Sequence, residues 1–127
     1  MFRGIESVLI GSADATKLAE FYREKVGLKQ TMEAEMGDEN ANVFMFEFEN
    51  KTSLAVMDHS EVKGKAHNPE RIIFNIEVDN IEEEFKKLVD NGVKKITDIY
   101  HVENYGHIAT FEDLDGNYFQ IVQIRAS

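Results

Sequence analysis

A run of strand, helix and three strands occurs twice along this chain, and that repeat limits the fold more than any single motif does. Residues 5–10 are rich in β-branched and aliphatic side chains, and Gly11-Ser12-Ala13-Asp14 then supplies turn and helix-start chemistry. Leu18, Phe21, Tyr22 and Val26 follow at helical spacing, with Gly27 placed as the stop. Strands are expected over residues 28–36, 43–49 and 53–58, separated by polar turns at Gly37-Asp38-Glu39-Asn40 and Glu49-Asn50-Lys51. The second half repeats the order. Residues 71–78 read as a strand, Asp79-Asn80 caps a helix with apolar positions Ile81, Phe85, Leu88 and Val89, and Asn91-Gly92 ends it. Strands over 93–99, 106–112 and 118–124 complete the chain, the last two joined by the turn Asp113-Leu114-Asp115-Gly116-Asn117. Residues 1–58 and 70–127 are therefore two copies of one module, joined by the polar linker 59–69 with its single proline, Pro69. A module of roughly 55–60 residues buries too little surface to be comfortable alone, so the two copies should share a sheet or a core.

Charge and residue content narrow the partners. Fourteen Lys and Arg against 24 Asp and Glu leave a net charge of −10, which repels phosphate backbones and anionic lipid. Neither nucleic acid nor a membrane is expected as a partner. Cysteine is absent, which excludes disulfides, thiolate nucleophiles and Cys-ligated zinc. The start, Met1-Phe2-Arg3-Gly4, shows no basic stretch leading into an apolar run, so a cytoplasmic protein is expected. Gly-rich phosphate loops, a Gly-x-Ser-x-Gly elbow and zinc-protease spacing do not occur, and Asn50-Lys51-Thr52 reads as a turn before a strand rather than a glycosylation site. Asp113 and Asp115 lack the later ligands of a calcium loop, and turn chemistry accounts for them.

Ile5-Glu6-Ser7-Val8-Leu9-Ile10, Phe21-Tyr22-Arg23 with Val26-Gly27-Leu28, Ile76-Glu77-Val78-Asp79-Asn80-Ile81, and Asp113-Leu114-Asp115-Gly116-Asn117-Tyr118-Phe119-Gln120-Ile121 together resemble the vicinal oxygen chelate superfamily. That superfamily holds glyoxalase I, bleomycin resistance proteins and extradiol dioxygenases. The resemblance covers essentially the whole chain. It implies an α+β fold of two βαβββ modules forming an open, U-shaped eight-stranded sheet around a cavity, commonly in a homodimer. It also implies a divalent metal acting as a Lewis acid on adjacent substrate oxygens. Carried over by motif, the ligand positions are Ser7, Ala55, Ile73 and Gln120, with Ala55 the loosest alignment. None is His, Asp or Glu, and such a set cannot hold Zn²⁺, Ni²⁺, Fe²⁺ or Mn²⁺ tightly. No metal and no cofactor is therefore expected at the usual centre.

Strand alternation suggests what lines the cavity. Val8, Ile10, Ile72, Phe74, Ile76 and Val78 form apolar sets that should meet the helices. The opposite sets leave Ser7, Leu9, Ala55, Ile73, Asn75, Glu77, Tyr118 and Gln120 on the cavity, with Arg71 nearer its rim and His107 added from the loop that enters the seventh strand. His59 and His67 fall in the linker as solvated side chains, and Phe44, Phe46 and Phe48 share one face as core or pocket wall. An apolar surface broken by a few neutral hydrogen-bonding groups suits capture of a small organic molecule, and the acidic chain favours a neutral or cationic one. Two other readings stand beside it: a glyoxalase-like lyase, isomerase or dioxygenase with a relocated metal or with His107 and Glu77 as acid and base, and an interaction module without a ligand.

Overall fold

The computed structural model describes residues 1–36 and 41–124 and divides into two compact units, Met1–Gly64 and Lys65–Ser127. The expected turn at Gly37-Asp38-Glu39-Asn40 lies outside the described residues.

The first unit begins with β1 (Ser7–Ser12) and α1 (Ala15–Glu20), the latter continuing as a wider π-helical turn over Phe21–Val26. Asp14 caps the start through Oδ1, which accepts the Lys17 N–H at 3.2 Å. Gly27 ends the helix at φ 90°, and the Gly27 and Leu28 N–H groups both donate to the Tyr22 carbonyl. Leu18, Tyr22 and Val26 are buried, as a stripe at every fourth residue requires. Strands β2 (Met32–Met36), β3 (Ala41–Glu47) and β4 (Ser53–Asp58) complete a sheet of order β1-β4-β3-β2, in which β1 and β4 are parallel. Tyr22 packs on Phe46 with ring centres 6.4 Å apart, which fixes the helix side of this sheet as Phe44, Phe46, Leu54 and Val56. Between β3 and β4, Asn50 Oδ1 accepts from the Thr52 N–H and hydroxyl, which closes the expected turn.

The second unit repeats this plan with β5 (Phe74–Glu77), α2 (Ile81–Asp90), β6 (Lys94–Lys95), β7 (Tyr100–Val102), β8 (Gly106–Glu112) and β9 (Tyr118–Ile124). Its sheet runs β5-β9-β8-β6, β7 also pairs with β8, and β5 and β9 are parallel. Asn80 caps α2 through Oδ1 to the Glu83 N–H, and Glu82, Glu83 and Glu84 place negative charge on the first turn, where the helix dipole favours it. Ile81 and Leu88 are buried and Phe85 packs on Phe111 at 5.5 Å, whereas Val89, expected on the same stripe, is exposed. Phe74, Phe119 and Phe111 stack in sequence across β5, β9 and β8 at 6.1 and 6.0 Å, forming the helix side of the second sheet.

The fold is thus α+β with two βαβββ units, but the described residues hold nine strands rather than eight. The strand expected over 93–99 shrinks to Lys94–Lys95, and a separate strand forms at Tyr100–Val102. The break is a bulge. Ile96 and Thr97 both donate their backbone N–H to the single carbonyl of Thr110, and Thr97 Oγ1 accepts the Thr110 N–H at 3.0 Å in place of a ladder carbonyl. The turn after β8 behaves as expected: the buried Asp113 carboxylate accepts from the Asp115 and Asn117 N–H groups and the Asn117 side-chain amide, with Gly116 at φ 82°. Its carboxylate is spent on the turn.

Candidate functional site

Each sheet has one face under its helix and one face without a helix, and pairing register assigns every side chain to one or the other. On the first sheet the helix-free face carries Ser7, Leu9 and Ala55, in phase with the sequence expectation. Leu9, Ala55, Met45 and Met32 are successive cross-strand partners, so they form one row across β1, β4, β3 and β2. Met57 and Val43 pair in the next row. Ala55 is buried, while Leu9 at 56% and Met32 at 41% remain exposed. The row is apolar and rich in thioether sulfur, a soft surface that adapts to the shape of what it meets.

The helix-free face of the second sheet is different in chemistry. Asn75, Gln120 and Thr110 are successive partners across β5, β9 and β8. Gln120 Nε2 donates to Thr110 Oγ1 at 2.9 Å, leaving its carbonyl oxygen free to accept, and Asn75 is exposed beside it. Flanking this neutral row are Glu77, paired with Val122, and Tyr118, paired with Glu112. Ile73 lies directly before β5 and is half-buried. Thr110, Met32, Met45 and Met57 did not emerge from the sequence. For Met45 the signal was available, because Phe44 and Phe46 as core residues leave it for the opposite face.

His107 is a correction. It pairs with Gln123, whereas Gln120 pairs with Thr110, so alternation along β8 puts His107 on the helix side of the sheet, away from Asn75, Gln120 and Thr110. There Gln123 Oε1 accepts the Ile81 N–H at 2.8 Å and ties the end of β9 to the start of α2. The His107 ring lies 5.0 Å from that of His101, its partner on β7. Glu77 and His107 both border an open depression of about 420 Å³ at the strand ends, but they project from opposite faces of the sheet. An acid-and-base pair on one bound substrate is not set up by that arrangement.

The donor set at the positions where the superfamily resemblance implies metal ligands does not fit a divalent transition metal. Ser7 offers a neutral hydroxyl, Ala55 and Ile73 offer hydrocarbon, and the Gln120 amide nitrogen is committed to Thr110. Among the described residues no three His, Asp or Glu side chains stand close enough together to hold an ion. None of the described helices is long and apolar enough to cross a membrane.

A duplicated βαβββ unit with one helix-free face per sheet defines a class of small α+β proteins, and the sequence comparison identifies it. Residues 4–121 match the Glyoxalase/Bleomycin resistance protein/Dioxygenase superfamily, and the chain belongs to it. Among its relatives is the uncharacterised protein YetH of Bacillus subtilis (strain 168), 28% identical over 119 residues, which span 94% of this chain and 97% of YetH. Solved structures of similar fold include TnmS3, an antibiotic-binding protein from Streptomyces sp. CB03234, at TM-score 0.77 and 20% identity with 98% of each chain covered. A variant of the fosfomycin resistance protein FosX from Listeria monocytogenes, in complex with Mn(II) and dihydroxypropylphosphonic acid, aligns at TM-score 0.68 and 15% identity over 96% of this chain and 93% of its own.

Proposed function

We propose that this protein binds a small organic molecule on the helix-free face of its second sheet without the metal centre usual in the superfamily. The observation that carries the reading is the row Asn75–Gln120–Thr110: neutral donors and acceptors surround Gln120, the one member of this row at a position where the resemblance implies a metal ligand. Ile73, Asn75, Glu77, Tyr118 and Gln120 of the second unit contact the ligand and His107 does not; Ser7, Leu9 and Ala55 form the apolar helix-free face of the first unit, a second surface of the same kind. The exposed Glu77 carboxylate and the net charge of −10 select a neutral or cationic molecule over an anion. TnmS3, an antibiotic-binding protein of similar fold, supports capture rather than turnover. The protein works as a homodimer, as is common in the superfamily, and the exposed Phe2 and Ile5 of the first unit are apolar side chains that a second copy would cover.

The test is a thermal-shift screen of the full chain against antibiotics and metabolites, run with and without EDTA, followed by titration of each hit into Gln120→Ala. Hits that stabilise equally in EDTA and weaken about tenfold or more in Gln120→Ala, a loss of about 1.4 kcal/mol, are expected. Because the similar FosX fold holds Mn(II), the EDTA arm is decisive. Hits that vanish in EDTA would replace this reading with a metal-dependent enzyme.

A further inference from the structure

We propose that His101 and His107 form a two-imidazole chelate for a borderline divalent transition-metal cation, Ni²⁺, Cu²⁺ or Zn²⁺, on the helix side of the second sheet. The inference is independent of the ligand reading, since the pair lies on the opposite sheet face from Gln120. The two residues are direct partners on antiparallel β7 and β8, so both side chains leave the same face within one strand spacing. Their ring centres are 5.0 Å apart with planes inclined at 48°. A metal held 2.0–2.1 Å from a ring nitrogen lies about 3.2 Å from that ring's centre, so two imidazoles meeting at 90–109° place their centres about 4.5–5.2 Å apart. The observed separation falls inside that interval.

Neither imidazole has a hydrogen-bond or ion-pair partner among the described residues, and both side chains are exposed. Their nitrogens are available without breaking an existing contact. Glu77 and Asp79 border the same depression and give it negative charge. The N-terminus of α2 opposes a cation there, but Gln123 Oε1 and Asn80 Oδ1 already accept two of its N–H groups. The negative charge of Glu77 and Asp79 acts through space and disfavours an anion there. With only two protein ligands, water completes the coordination, and the Irving–Williams order then ranks Cu²⁺ above Ni²⁺ and Zn²⁺ while Mg²⁺ and Ca²⁺, which want oxygen ligands, are rejected. Among the described residues β7 pairs only with β8, so a bridging ion would clamp that strand to the sheet.

The experiment is calorimetric titration of the chelator-treated full chain with NiCl₂, CuCl₂ and MgCl₂ near neutral pH in a non-coordinating buffer. One equivalent of Ni²⁺ and of Cu²⁺, Cu²⁺ the tighter, and no response to Mg²⁺ are expected. His101→Gln and His107→Gln should each weaken Ni²⁺ by more than about tenfold, since even outer-shell changes cost that much. His59→Gln and His67→Gln should leave it unchanged. Far-UV circular dichroism of the two pair variants should match the parent, because neither side chain is buried. Absence of Ni²⁺ binding in the parent overturns the proposal, as does binding that survives in either pair variant or disappears in either linker variant.

Discussion

Phe119 and Gln120 are consecutive residues on β9, yet the register sends them to opposite faces, and their substitutions should therefore do opposite things. Phe119 is fully buried between Phe74 at 6.1 Å and Phe111 at 6.0 Å, under the helix. Phe119→Ala removes the transfer free energy of the ring and leaves a cavity that two stacked rings cannot close, at a cost of about 3–5 kcal/mol. That is a large part of the roughly 5–15 kcal/mol that holds a domain folded. Gln120→Ala removes one hydrogen bond, to Thr110 Oγ1, from a half-buried position and should cost about 1 kcal/mol. For a chain of this length each kcal/mol moves the melting temperature by about 3–5 °C, so the two variants should fall by roughly 10–25 °C and 3–5 °C. Urea denaturation with an unchanged slope would confirm that the difference is stability and not a change of the unfolded state. Were Gln120→Ala to cost as much as Phe119→Ala, the faces of β9 would be reversed, and the site built on Asn75, Gln120 and Thr110 would be wrong with them.

Light scattering should report a mass near twice 14.6 kDa at micromolar protein, and a concentration-independent mass near 14.6 kDa would reject the homodimer. The strand-to-helix ties should be unequal: the Asp58 carboxylate accepts from the Ala15 N–H and from the Asn42 backbone and side-chain amides, whereas among the described residues Gln123 Oε1 accepts from the Ile81 N–H alone. Asp58→Ala should therefore cost about 2–4 kcal/mol and Gln123→Ala about 1–2 kcal/mol by chemical denaturation, and equal costs would refute the assignment.

The repeat was legible because both helices announce themselves twice, by an apolar stripe and by a glycine stop, and because residues 53–58, 106–112 and 118–124 alternate or run apolar between clear turns. Two departures from the sequence reading have different origins. Thr97 Oγ1 substitutes for a ladder carbonyl and splits one expected strand into Lys94–Lys95 and Tyr100–Val102, which no periodicity announces. His107 is a separate case: Ile108, Ala109, Thr110 and Phe111 are all buried, so β8 has no polar face from which to read its phase. The phase is set instead by Phe111, which packs on Phe85 of α2 and carries Ala109 and His107 to the same side. The phases of β1 and β5 were readable because Leu9, Asn75 and Glu77 alternate with less exposed neighbours.

Comparing the two halves position by position separates what folds the unit from what distinguishes it. In both, the last strand of the unit ends in a side-chain oxygen that accepts the first helical N–H: Asp58 to Ala15 and Gln123 to Ile81. In the first half the cross-strand neighbour of that residue, Asn42, is drawn into the tie and donates twice to Asp58. The corresponding neighbour in the second half is His107, beside Gln123, which has already spent its carbonyl on Ile81. An amide in the first half is structurally employed, and an imidazole in the second is not. The same divergence holds on the helix-free faces, where Leu9–Ala55–Met45 corresponds to Asn75–Gln120–Thr110. The tie recurs in both halves whereas the polar row and the free imidazoles occur in the second alone, on opposite faces of one sheet, which is why the two binding proposals rest on them.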